Sequence, residues 1–192
     1  MLRPNHLDVD RTCVLVIDLQ EKLLPLIRDG QRIIAAARKL LDGVNVFNLP
    51  VLATEQYAAG LGHTDATIQE ALDRCTGTVL EKPSFSACGE PSVRDALRTI
   101  DRPQVIVVGI ETHVCVQQTT LDLATMDYDV FVCADAVGSR GRLDHERALD
   151  RMRQAGAMVT TVESALFELC GRCDTPEFKA MLKVIKASPP AE

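Results

Sequence analysis

Short apolar runs alternate with longer amphipathic segments along this chain, and that alternation leaves few architectures open to it. Thr12-Cys13-Val14-Leu15-Val16-Ile17-Asp18 stays almost wholly apolar up to its closing carboxylate, as a strand buried on both faces of a sheet would read. From Gln31 to Asn48, the residues Ile33, Ile34, Ala37, Leu40, Leu41, Val44 and Phe47 recur at helical steps. The same reading predicts strands at Leu49–Thr54, Thr78–Glu81, Gln104–Ile110, Asp129–Ala134 and Ala157–Val162, with Pro50 tolerable only near the start of its strand. Helices are predicted over Glu90–Ile100, from about Val114 to Ala124, and over Leu143–Gln154, which stops at Gly156. Two more follow, Ala165–Leu169 capped by Ser164 and Pro176–Lys186.

Strands separated by helices imply an α/β fold: a three-layer α/β/α sandwich around a six-stranded parallel, Rossmann-like sheet. Neither repeat nor linker interrupts the pattern, so residues 1–192 read as a single domain, with 1–10 and 187–192 as flexible ends. In such sheets ligands bind outside the carboxyl ends of the strands.

Composition narrows the partners. A net charge of −6 argues against a nucleic-acid backbone. No apolar stretch approaches the ~20 residues that span a bilayer, and the first residues carry neither a signal-peptide core nor an Arg-rich arm. The expectation is a soluble, cytoplasmic protein that acts on a small molecule, with no nucleic acid and no membrane as partner. The seven cysteines are an odd number without a secretory signal, which does not suggest a disulfide framework. Cys170-Gly171-Arg172-Cys173 has redox or metal spacing, but it sits at a helix C-terminus and no second pair or nearby His completes a zinc site.

The chemistry gathers at the carboxyl edge. Asp18 closes the first strand, Lys82 follows the third, and Cys115 follows the fourth, six residues after Gly109. Taken singly, Asp18 reads as a helix cap, Lys82 as a solvated loop residue and Cys115 as core packing. Together they supply what thiolate attack on a carbonyl requires. Asp18 takes the thiol proton and returns it to the leaving group, while Lys82 steadies the carboxylate and the developing oxyanion. Backbone N–H groups between Gly109 and Cys115 provide the oxyanion hole. Cys115 is expected at a helix N-terminus, where the helix dipole and unpaired N–H groups lower a thiol pKa.

Three segments carry a resemblance: Val16-Ile17-Asp18-Leu19-Gln20, Lys82-Pro83-Ser84-Phe85-Ser86 and, most specific, Gly109-Ile110-Glu111-Thr112-His113-Val114-Cys115-Val116. Over essentially its whole length the chain resembles the isochorismatase-like (cysteine hydrolase) superfamily. The resemblance implies a catalytic triad of Asp18, Lys82 and Cys115. It also implies a cis peptide joining Ile110 to Glu111, with the backbone N–H groups of Glu111 and Cys115 facing the oxyanion. Members are usually homo-oligomers. The metal-binding Asp-x-His of the nicotinamidases has no counterpart in Thr54-Glu55-Gln56-Tyr57-Ala58-Ala59-Gly60-Leu61-Gly62-His63, so no metal and no cofactor are expected. True isochorismatases lack the nucleophilic cysteine, and its presence points to amide-type chemistry. The Glu55-Gln56-Tyr57 to Gly60-Leu61-Gly62 stretch resembles the branch of isochorismatase-domain-containing proteins.

Substrate contacts are expected from Gln20, Tyr57, Phe85 and Thr112. His113 offers a rival base, although residues so near on a loop usually point apart. Ser139-Arg140-Gly141-Arg142 lies at the same edge and reads either as a contact for an acidic substrate or as a solvated turn. The expected function is metal-independent hydrolysis of a small amide or related carbonyl compound through a thioester. The alternatives are isochorismatase-type hydrolysis of another small molecule, a non-catalytic interaction module, and thiol redox work through Cys170 and Cys173.

Overall fold

The six apolar runs become β1 (Thr12–Ile17), β2 (Val51–Gln56), β3 (Gly77–Lys82), β4 (Gln104–Ile110), β5 (Asp129–Gly138) and β6 (Met158–Thr160). They form one six-stranded sheet in the order β3-β2-β1-β4-β5-β6, with every neighbouring pair parallel. The structure is a computed structural model and describes residues 6–75 and 77–187; the tail from Ser188 lies outside the described residues. Among the described residues eight α-helices connect and cover the sheet: α1 (Gly30–Val46), α2 (Ala58–Leu61), α3 (Ala66–Leu72), α4 (Pro91–Ile100), α5 (Gln117–Thr125), α6 (Arg142–Gln154), α7 (Val162–Cys170) and α8 (Pro176–Ala187).

Strand periodicity divides the core in two. Val14 and Val16 on β1, with Ile106 and Val108 on β4, pack against α1, α3, α7 and α8. Cys13, Leu15 and Ile17, with Val105 and Val107, face α4, α5 and α6. Burying β1 and β4 on both faces is what their unbroken apolar sequence requires.

Several boundaries moved. β2 starts after Pro50 and continues to Gln56, beyond the expected end at Thr54. β5 runs on to Gly138, with its register against β4 shifted between Val107 and Gly109. α7 begins at Val162 and is capped by Thr161, whose hydroxyl accepts from the N–H of Ser164, so Ser164 is the capped residue and not the cap. The short helices α2 and α3 lie in a stretch without expected elements; α3 is capped by Asp65, which accepts from Thr67 N–H. Residues 6–10 are also tied down more than a flexible end would be: Leu7 is buried and its N–H donates to Glu168.

β1 is the pivot. The chain leaves β1 to β2 on one side, and β4 flanks it on the other, so the direction of winding reverses beside β1. That is the switch point at which open α/β sheets hold their ligands.

Candidate active site

Register brings the reactive groups together. Ile17 pairs with Thr54 on β2 and with Gly109 on β4, while Gln56 pairs with Lys82 on β3. Asp18 therefore leaves β1 between two strands whose ends carry Thr54, Gln56 and, one strand further, Lys82. Its backbone turns to φ 52°. Gly109 makes room for this close approach: a Cβ on it would lie 2.0 Å from the Ile17 carbonyl oxygen, and its φ of +125° suits glycine.

Lys82 and Asp18 are both buried, at 0% and 1% exposure, and the ammonium lies 2.7 Å from Asp18 Oδ2. A buried ammonium must spend its donors on protein acceptors. Lys82 Nζ also donates to Gln56 Oε1 at 2.7 Å, and the carbonyl oxygens of Ser84 and Phe85 lie at 3.1 and 3.2 Å. Thr54 Oγ1 donates to the other Asp18 oxygen at 2.8 Å. Burial is the largest influence on Asp18 and raises its pKa; the charge and hydrogen bond of Lys82 and the Thr54 hydroxyl only partly oppose it.

Cys115 arrives from the far side of β1. The Ile110–Glu111 peptide is cis. Residues Thr112–Val116 then make a single wide π-turn before α5, in which the N–H groups of Val114 and Val116 both donate to Glu111 O, at 3.0 and 3.2 Å. Cys115 is thus in the turn and not at the N-terminus of a regular helix. Its sulfur is 3.9 Å from Gln56 Oε1. The lowered thiol pKa expected from the helix dipole is overturned. Burial pushes the Cys115 thiol up to about 12, and the Asp18 carboxylate adds to the rise against the opposing effect of Lys82. Burial penalises the charged thiolate and so opposes the lowering that a helix start would give.

The remaining candidates separate into those at the surface and those locked into the frame. Tyr57 and Phe85 are 61% and 57% exposed; Phe85 meets Lys82 through its carbonyl. Gln20 is fully buried and its carboxamide is already engaged: Oε1 accepts the N–H of Gln56 at 2.7 Å, and Nε2 donates to the carbonyls of Gln56 and Gly62 at 3.0 and 2.6 Å. It holds the wall of the site and has no donor left for a substrate. Thr112 is buried as well, with its hydroxyl 3.0 Å from His145 Nδ1. His113 pairs with Ser139 Oγ at 3.0 Å, away from the base role. Arg140 donates from N and Nε to the Glu111 carboxylate, both at 3.0 Å, and Arg142 pairs with Glu146 at 2.6 Å. A cavity of about 310 Å³ opens beside them, lined by Arg28, Arg32, Ser139, Arg142 and His145 among others, but not by Asp18, Lys82 or Cys115.

Gln56 and Thr54 are the site residues that sequence reasoning passed over. The available signal was pairing: once β2 is carried two residues further, Gln56 stands opposite Lys82. Glu55 lies between them in sequence and serves the loop instead, accepting from Thr64 N and Oγ1 at 2.7 and 2.8 Å. Among the described residues no group of three or more His, Cys, Asp or Glu side chains could hold a metal ion.

Comparison with known proteins agrees with the fold. A family model described as the isochorismatase domain matches residues 12–164. Isochorismatase domain-containing protein 1 of Salmo salar is 40% identical over 174 residues, 90% of this chain, and the chain spans 60% of that protein's length. The structure of a MAR1 ribonuclease from Caenorhabditis elegans has 39% identity and a TM-score of 0.90, covering 96% of this chain and 95% of that one. The YcaC gene product of Escherichia coli, described as an octameric hydrolase of unknown specificity, has 26% identity and a TM-score of 0.87 over 96% of this chain and 92% of its own.

Proposed function

The chain belongs to the isochorismatase family, and from that premise we propose that it is a cysteine hydrolase, using no metal, that cleaves a small amide or related carbonyl compound. The observation that carries the reading is the contact of a buried ammonium and a buried carboxylate at 2.7 Å on the side of β1 that a thiol approaches from β4.

The resting thiol is protonated, so the nucleophile is made during the reaction. Asp18 takes the proton as the sulfur bonds to the carbonyl carbon, and the carbonyl electron pair moves to oxygen. The raised pKa of Asp18 suits a group that must hold that proton. The backbone N–H groups of Glu111 and Cys115 receive the oxyanion. Collapse breaks the C–N bond as the Asp18 proton passes to nitrogen, leaving a thioester. Asp18 then draws a proton from water, whose oxygen attacks the thioester and returns the thiol. Lys82 keeps the site from accumulating negative charge throughout. The ribonuclease named for the nematode protein is not carried over, because a net charge of −6 disfavours a polyanionic substrate.

Cys88 is an internal control. Its thiol is likewise pushed up to about 12 by burial, and it is 5% exposed against 7% for Cys115. Alkylation by iodoacetamide at neutral pH is therefore expected to mark Cys115 well ahead of Cys88, because only Cys115 has Asp18 to take its proton. Equal rates at the two cysteines would falsify the proton-shuttle reading. Screening small amides and carbamoyl compounds for ammonia release, with Cys115→Ala as control, then identifies the substrate.

A further inference from the structure

Two cations of α1 have no acceptor among the described residues. Lys39 is only 8% exposed, yet its ammonium makes neither a hydrogen bond nor an ion pair there. The other buried lysine, Lys82, spends its donors on Asp18, Gln56 and two carbonyls. Arg32 is likewise without an acceptor, whereas Arg38 on the same helix pairs with Asp42 and Glu70. Arg32 and Lys39 are seven residues apart, so two helical turns bring them back to one face. Both line a cavity of about 480 Å³, whose opposite wall is the start of α7, with Thr161, Ser164 and Phe167.

An ammonium taken out of water without an acceptor is costly. A second cation and the positive end of α7 around the same space make the potential more unfavourable for it. The acids in the wall do not relieve this by contact. Asp135 Oδ1 accepts the N–H of Val162 at 2.9 Å, and Glu163 lies exposed in the first turn of α7. Neither forms an ion pair with Lys39 or Arg32. The chain carries a net charge of −6, so the excess of positive charge here is local to the cavity.

We infer that this cavity binds the phosphate group of a small molecule, with Lys39 and Arg32 as its counter-charges. A phosphate brings nearly two charges and three acceptor oxygens, enough for both cations and for hydroxyl donors. Thr161 supplies one: its Oγ1 accepts the N–H of Ser164, which leaves its own O–H to donate. The volume falls within the range of about 300–1,000 Å³ usual for small-molecule sites, so there is room for an organic remainder beside Phe167. Asp18, Lys82 and Cys115 do not border the cavity, and the inference is independent of the hydrolase reading.

Thermal unfolding of the full chain near pH 7, titrated with inorganic phosphate while sodium chloride holds the ionic strength constant, tests it. Phosphate also stabilises proteins by exclusion from their surface, so the quantity read is the difference between wild type and variant. At ten times its dissociation constant, phosphate should raise the wild-type melting temperature by roughly 3–6 °C beyond that general gain. Lys39→Met keeps an apolar stem and loses the charge, so only the general gain remains. Without phosphate it should melt no lower than wild type, because no cation is stranded. Arg32→Gln, at an exposed position, should weaken the response roughly tenfold. Arg147→Gln, exposed and outside the cavity, should leave it unchanged. A wild-type rise no larger than that of Lys39→Met or Arg32→Gln overturns the site. An equal rise with acetate overturns its assignment to phosphate. Should Lys39→Met fail to fold, its burial was structural and the inference falls unless Arg32→Gln alone abolishes the rise.

Discussion

Lys82→Met would strand Asp18 in the interior without its cation. Breaking a buried ion pair from one side costs about 3–5 kcal/mol, so urea denaturation of this variant is expected to show a loss of that order. The Asp18→Asn/Lys82→Met double variant should recover part of it, since no uncompensated charge remains. Thr54→Val tests the other carboxylate oxygen. Its hydroxyl favours the ionised form of Asp18, so losing it raises a pKa that burial has already raised. The base is active only when ionised, and activity falls as pH drops through its pKa. The acid limb of the pH–rate profile for Cys115 alkylation is therefore expected to move to higher pH in Thr54→Val; a limb that stays or moves down would contradict the assignment. The gathering of Asp18, Lys82 and Cys115 at one sheet edge was legible in the sequence because Asp18 closes an apolar run and the other two stand at or shortly after the ends of further strands. Gln56 was not, because nothing in Thr54-Glu55-Gln56 says how far a strand continues once its apolar run has stopped. The thiol pKa misled for a related reason: sequence locates a helix start but not the depth at which it lies.

Among the elements, β4 has the bounds expected from its residues, and its one glycine shows why the strand cannot vary there. Gly109→Ala would drive a Cβ into the Ile17 carbonyl at 2.0 Å, backbone against backbone, at a φ that L-residues avoid. A cost of about 4 kcal/mol or more is expected, the exceptional end of single substitutions, and a soluble variant with an unchanged melting temperature would refute it. The loop after β3 is held by α5: Thr119 Oγ1 accepts from Ala87 N–H at 2.9 Å, and Asp122 Oδ2 accepts from Ser86 Oγ at 2.6 Å. Thr119→Val leaves the Ala87 amide buried without an acceptor, which should destabilise by about 1–3 kcal/mol in thermal unfolding. That loop also supplies two of the carbonyls around Lys82, so Cys115 labelling should slow in the same variant. Neither tether was visible beforehand, because polar partners 32 and 36 residues apart carry no periodicity.

For the molecule as a whole, the layered sheet followed from the sequence because an apolar run buried on both faces has few alternatives, whereas association of copies was implied only by the family resemblance. Tyr57 and Phe85 are both largely exposed beside the reactive groups, and the related YcaC protein is described as octameric. We expect several copies of this chain to associate in solution; light scattering that returns the mass of one chain would refute it. One internal device bears on how such a site can exist at all. β1 stops at Ile17, so that Asp18 can swing aside, while β2 runs on to Gln56. The missing length of strand is supplied by a side chain, because the Gln20 carboxamide offers an acceptor and a donor to the Gln56 amide just as a neighbouring peptide would. The Gln56 amide proton should therefore exchange with solvent as slowly as that of Thr54, although no backbone strand flanks it on that side. Gln20→Glu, which can accept but not donate, should unzip the sheet locally from that end.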